Sequence, residues 1–326
     1  MRRRLVAALL GIGLGLGLAG FGASWQARRI YAAPGPLAQA RDVVVAHGSL
    51  TEVAGALHRA GVVASSWQFR LAATLTRGQG VLHAAEFAFP AHASLARVLA
   101  VLRTARPVQH RLTIPEGLTA SAIAALFARA PALTGAVPHF AEGAVLPQSY
   151  DYEYGTPRAA LLARAEHAMD ATLAKVWEGR APGLPLATPR DLLTLASLIE
   201  RETALPEERA LVAAVFMNRL RQGMRLQSDP TVIYAASAGA GTLDHPLTRA
   251  ELALDSPYNT YRMAGLPPGP IASPGLAALT AAAHPAASDA LYFVADGSGG
   301  HVFAHTLAEH NRNVAAWRAR HPTLTR

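Results

Sequence analysis

Between Leu5 and Ala27 the chain carries no charged residue: LVAALLGIGLGLGLAGFGASWQA. Everything that follows must be arranged around this run. As a helix rising about 1.5 Å per residue, it is long enough to cross a hydrocarbon core of roughly 30 Å. Arg2, Arg3 and Arg4 precede it, and Arg28 and Arg29 follow it directly. Arginines ahead of such a run predict a cytoplasmic N-terminus and an exported remainder. Trp25 falls where an interfacial aromatic belongs. The alternative is a cleaved signal peptide, for which ASWQA offers small residues near a cleavage point. The length of the run and the arginines behind it favour an uncleaved anchor. The expected order is therefore a cytoplasmic tail at 1–4, a transmembrane helix at 5–27 and a linker at 28–42 with a Pro-Gly-Pro break.

Charge and composition exclude several classes. The net charge is +8, but the five N-terminal arginines, unopposed by any acid in the first 30 residues, account for most of it. No basic run with interleaved aromatics occurs elsewhere, so nucleic acid is not an expected partner. There is no cysteine, which removes disulfides, thiolate metal sites and cysteine nucleophiles. His301, His305 and His310 lie close together in the sequence, but His301 falls in a strand pattern where helical spacing has no meaning. No metal site and no cofactor are expected.

Three stretches then repeat one design: Val43–Val63, Phe87–Ala105 and His110–Ala130. Each has a short β-rich run, a turn, and apolar residues at helical spacing behind a Ser or Thr able to cap a helix. A further helix, SSWQFRLAATL, lies between the first two. Strand, helix, helix and strand within residues 43–108 suggest a LysM-like α+β module, a fold often used to hold glycan chains. Residues 109–187 read as a connecting region with a helix from Pro157 to Trp177. Residues 188–326 read as one unit, with helices at Asp191–Glu202 and Pro206–Gln222. A hairpin at Leu291–Ala304 about an Asp-Gly/Gly-Gly turn and a helix at Leu307–Arg318 complete it. The fold class is α+β throughout.

The helix TLASLIERET raises the chemical question, since acids are rarely placed in an apolar run without a purpose. Glu200 and Glu202 are two residues apart, about 200° around the axis, and cannot share a face. Glu200 aligns with Ser197 and Thr203, and is crowded by Leu195, Ala196, Leu198 and Ile199. Such crowding would raise a carboxyl pKa by desolvation, as a general acid requires. Glu202 points elsewhere and is expected to be a structural partner of an arginine such as Arg209. Two loop-like motifs, RLQSDPTVIY and SPYNTYRMAGLPPGPIASPG, offer Gln227, Asp229, Tyr258, Asn259 and Tyr261. Tyrosine faces stack on sugar rings, and the amides and the acid suit hydroxyls.

Together LASLIERET, RLQSDPTVIY, SPYNTYRMAGLPPGPIASPG and AAAHPAASDALYFVADGSGGHVFAHTLAEHN resemble the YceG-like (MltG-type) endolytic murein transglycosylases. The likeness runs in order over residues 110–318 and includes TIPEGLT. It departs at LPQSYDY, where Gln148 replaces an acid of the family's pattern. The resemblance implies a single-pass inner-membrane protein whose exported domain, 188–326, cuts nascent peptidoglycan strands internally and leaves 1,6-anhydro ends. It implies membrane-bound peptidoglycan synthases as partners. It places the family's catalytic glutamate on Glu200, with Gln227, Asp229, Tyr258, Asn259 and Tyr261 binding substrate. Two other readings remain: a hydrolase using Glu200 with Asp229 and a water, and an anchored glycan-binding scaffold that does not cut.

Overall fold

The structure, a computed structural model, describes residues 20–320. Most of the expected transmembrane run lies outside the described residues. Residues 20–32 are helical, and among the described residues no helix is long and apolar enough to cross a membrane. The chain separates into two compact units, one ending at His110 and the other beginning at Arg111.

In the first unit, β1 (Arg41–Val45) pairs antiparallel with β2 (Ala85–Phe89), Val43 opposite Phe87. Between them lie α1 (Leu50–Arg59) and α2 (Ser66–Leu75), and α3 (Leu95–Thr104) follows β2. The caps expected in the first two repeated stretches form, Ser49 and Ser94 each accepting the backbone N–H three residues on, and Ser65 does the same for α2. At α1 the cap is reciprocal, because the Glu52 carboxylate returns to the Ser49 N–H. Alternation along β2 buries Phe87 and Phe89, which meet Leu57, Phe69, Leu99 and Leu102 in one core.

The second unit begins with a two-stranded sheet of β3 (Gln109–Thr113) and β4 (Ser149–Glu153). Arg111 clasps Asp151 and Thr113 meets Ser149, so the strands run antiparallel. Helix α4 (Ala120–Arg129), capped by Thr119, and α5 (Arg158–Glu178) close a core around Ile123, Phe127, Tyr150 and Leu161.

A larger core is built on α6 (Pro189–Glu202). Residues Leu192 to Ile199 are all buried, against Val212 and Phe216 of α7 (Arg209–Arg221) and Leu279 and Ala282 of α10 (Leu276–Ala283). The small alanines of α10 let the helices approach closely, the geometry in which packing density is highest. Helices α8 (Asp229–Ala236) and α9 (Arg249–Leu252) come between. The predicted hairpin forms as β5 (Tyr292–Ala295) and β6 (His301–Ala304), and α11 (Leu307–Arg320) follows.

Three boundaries differ from expectation for identifiable reasons. Helix α6 starts at Pro189 because Thr188 caps it and proline fits a first helical position. Helix α7 starts at Arg209, three residues late, because residues 206–208 form a turn and Glu208 is the cap, its carbonyl accepting the Val212 N–H. The motif RLQSDPTVIY is not a loop: from Asp229 it is helical, with Pro230 in the first turn.

Leu195 is fully buried at the centre of the α6 core. Leu195→Ala should lower stability by about 2–5 kcal/mol, read as a lower denaturation midpoint.

Candidate active site

Because α6 is buried to Ile199, its last turn leaves the core with side chains pointing in different directions. Glu200 and Glu202 leave it on separate sides. Glu200 turns toward the start of α10, where Oε2 accepts the Gly275 N–H at 2.9 Å. Its other oxygen lies 3.9 Å from the Arg209 guanidinium, and the side chain is only 6% exposed. Burial pushes its carboxyl pKa up, as crowding predicts, with the Gly275 bond and the arginines pulling back and Glu116 pushing further up. Arg201 between the two acids ties down the Gly117 and Gly241 carbonyls. The expected pairing is therefore exchanged: Arg209 attends Glu200, not Glu202.

Glu202 opens onto a cavity of about 570 Å³, a size suited to a small ligand or a short piece of polymer. Gln227, Asp229, Tyr261, Arg219 and His301 line it with Glu202, and Phe293 and Trp317 supply apolar wall. Ser228 Oγ donates to Glu202 Oε1 at 2.5 Å. Burial raises the Glu202 pKa to about 7; Asp229 adds to the rise, while Ser228 and Arg219 oppose it. A carboxyl titrating there holds its proton in an appreciable fraction of molecules at neutral pH, and can act as an acid.

The surrounding residues are held by a dense polar lattice. Gln227 has a left-handed backbone, φ 53°, a conformation that costs a non-glycine residue energy and collects at functional positions. It is held by its N–H to the Thr260 carbonyl, and its Oε1 accepts from Arg219 at 3.2 Å. That leaves the amide NH₂ to donate. Thr260 also takes the Ser228 N–H and meets Thr231, so the Ser256–Arg262 loop is locked onto the start of α8. The Tyr261 hydroxyl donates to Asp229 Oδ1 at 2.5 Å. Burial raises the Tyr261 pKa, and Asp229 raises it further, so the phenol stays protonated.

The expected site is thus gathered only in part. Gln227, Asp229 and Tyr261 do come together, but around Glu202 rather than Glu200. Asn259 is fully buried and spends its side chain within its own loop, donating to the Leu252 and Leu254 carbonyls and accepting from the Tyr261 N–H. It shapes the loop and has no face toward the cavity. Tyr258 packs at a tilt against Tyr234, ring centres 4.9 Å apart, and against the α6 core. Arg219 escaped the sequence reading and His301 was weighed there only as a metal ligand, since neither an arginine within an apolar helix nor a histidine in a strand carries a local signal for a cavity. Among the described residues no group of three or more His, Asp and Glu could hold a metal ion; His301 bonds Glu208 and His305 pairs with Asp289.

Fold and site together define an α+β protein in which the end of a buried helix presents a protonatable carboxylate to a polar cleft. A model of the YceG-like family matches residues 43–316, and the chain belongs to that family. It is 50% identical to an endolytic murein transglycosylase of Bacillus subtilis over 121 residues, 37% of this chain and 32% of that protein. It is 39% identical to an endolytic murein transglycosylase of Streptococcus pneumoniae over 181 residues, 53% of this chain and 32% of the other. The chain thus matches about a third of the length of these curated relatives. The crystal structure of a YceG-like protein from Listeria monocytogenes is similar at a TM-score of 0.54 and 27% identity. That likeness covers 84% of this chain and 98% of that one.

A carboxyl whose pKa rises on folding keeps its proton where the unfolded chain has lost it. Glu202 therefore lowers stability progressively from about pH 4.5, its ordinary value, to about 7, and fully above that. Glu202→Gln keeps the Ser228 bond and removes this cost. The variant should melt higher than wild type at pH 8, with the difference vanishing toward pH 4, as read by calorimetry across that range.

Proposed function

We infer that this chain is a peptidoglycan lytic transglycosylase with Glu202 as its general acid. The observation that carries the reading is the Glu202 carboxyl, pKa about 7, facing a polar cavity that it shares with Gln227, Asp229 and Tyr261. The names of the relatives support the same reaction.

The chemistry follows from one proton. Protonated Glu202 donates to the leaving oxygen of a β-1,4 bond between N-acetylmuramic acid and N-acetylglucosamine. The C1–O4 bond breaks with oxocarbenium character, and the sugar's own 6-hydroxyl oxygen closes on C1 to give the 1,6-anhydro end, its proton passing to the Glu202 carboxylate. No second carboxylate is needed as nucleophile, unlike in ordinary glycosidases. The Gln227 amide and the Tyr261 hydroxyl, paired with Asp229, suit the sugar hydroxyls; Phe293 and Trp317 suit ring faces. Glu200, engaged with Gly275 and Arg209, has the structural duty of fixing the start of α10. This reverses the roles that the motif alone suggests.

The same proposal extends to the rest of the chain. Residues 1–4, 5–27 and 28–42 are a cytoplasmic tail, a single-pass inner-membrane anchor and a linker, supported by the uncharged run and its flanking arginines. Residues 43–108 are a LysM-like module, supported by an antiparallel strand pair enclosing two helices. The exported remainder, with a connecting region to 187 and a catalytic domain from 188, meets nascent glycan strands beside membrane-bound synthases.

Digestion of purified murein, with end groups read by mass spectrometry, tests the reaction. Anhydro ends are expected; reducing ends alone would indicate a hydrolase using Asp229 and water, and binding without digestion a scaffold. Glu202→Gln should lower turnover by about 10²–10⁴-fold, whereas Glu200→Gln, whose amide oxygen can still accept the Gly275 N–H, should retain far more activity. The opposite ranking would return the acid role to Glu200.

A further inference from the structure

Apolar side chains of helix α2 face two ways. Phe69 and Ala73 are buried in the core of the first unit. Trp67, Leu71 and Leu75, spaced four apart and so on one face, are 61%, 43% and 74% exposed. No other helix of the described residues presents three exposed large apolar side chains. A contiguous apolar surface of this kind marks a contact.

The stripe forms one wall of a groove of about 400 Å³, and the helix of residues 20–32 forms the other, through Ala23, Ala27 and Ile30. That helix is tied to the unit it borders. Tyr31 packs against the same core, and Leu37 is buried in it. The Gly35 N–H donates to the His92 carbonyl at 3.1 Å, and a Cβ on Gly35 would strike the Ala93 carbonyl oxygen. The groove therefore has a fixed relation to the chain that enters it.

Those incoming residues decide what fills it. Ala23 and Ala27 belong to the uncharged run 5–27, and Ala23 lies four residues, about 6 Å of helix, before its end. Arg28 and Arg29 follow at once. Arg28 lines the groove, and the Arg29 guanidinium lies over the Trp25 ring, 5.6 Å from its centre. An aromatic ring and arginines at the end of an apolar run mark the level of lipid headgroups. The groove thus opens where acyl chains give way to headgroups, a depth that a water-soluble partner does not reach. Charge agrees: residues 53–85, which include α2, carry Arg59, Arg70 and Arg77 and no acid, a balance that suits anionic lipid.

We propose that α2 beds on the bilayer surface, with Trp67, Leu71 and Leu75 entering the outward-facing leaflet and a phospholipid acyl chain filling the groove. The proposal rests on the reading of residues 5–27 as an anchor. The first unit is then held against the membrane along a face and not only by its linker. Phe21 and Trp25, also exposed, add apolar surface on the incoming helix.

The chain has no cysteine, so a single introduced one takes a fluorescent label uniquely. Full-length Leu71→Cys, Leu75→Cys and Ala88→Cys are labelled with bimane and reconstituted in nanodiscs of phosphatidylethanolamine and phosphatidylglycerol. Ala88 is the control, exposed on the face of β2 away from Phe87 and Phe89. Spin-labelled acyl chains should quench positions 71 and 75 several-fold more than 88, and aqueous iodide should do the reverse. Trp67→Phe should lower the quenching of intrinsic fluorescence by brominated lipid, a readout that needs no label. Labels at 71 and 75 as open to iodide as the one at 88 overturn the proposal. So does shielding from both quenchers, which means that a second copy covers the face. Failure of the anchor reading looks different: in vesicles, an alkaline carbonate wash would release the protein. A chain that stays through the wash with 71 and 75 in water refutes the bedding of α2 alone.

Discussion

The burial of α6 is the constraint on which the second unit depends. Eight consecutive residues from Leu192 to Ile199 are enclosed by neighbouring helices. A helix gripped so completely has no freedom to rotate, because a rotation would expose one part of that apolar surface and overpack another. Its final turn is therefore fixed in azimuth, and with it the directions of three consecutive charged residues. Glu200 is delivered to a backbone N–H, Arg201 to two carbonyls and Glu202 to open space. Chemistry at this site comes from which of the three meets the cavity.

Much of the fold was legible. Caps at Ser49, Ser94 and Thr119 formed as their positions suggested, because a cap is a local bond between residues three apart. The hairpin at Tyr292–Ala304 was equally local, fixed by its turn. Boundaries were less legible: the apolar periodicity of α7 gave no sign that residues 206–208 form a turn before it, with Glu208 as the cap.

The candidate site divides the same way. Residue types suited to a sugar were visible, and the structure brings Gln227, Asp229 and Tyr261 to one cavity. Which of the two glutamates meets that cavity was not visible. Crowding by neighbours in sequence pointed to Glu200, and crowding does raise its pKa. Desolvation, however, is not access. Glu200 is covered and hydrogen-bonded, whereas Glu202 is desolvated by distant residues and still faces a cavity. Asn259 shows the converse: a residue type well matched to a ligand, wholly consumed in bonds to its own loop.

The cavity draws its wall from Glu202 at the end of α6 through Gln227, Tyr261 and His301 to Trp317 on α11. No two neighbouring segments suffice to make it. Its assembly depends on contacts far apart in sequence, which form late and together during folding. A partly folded chain therefore exposes the ERET turn without the groups that shape its surroundings, and in water the Glu202 carboxyl would titrate as an ordinary glutamate. The raised pKa of Glu202 therefore belongs to the complete fold, because every segment of the cavity wall must be in place to produce it.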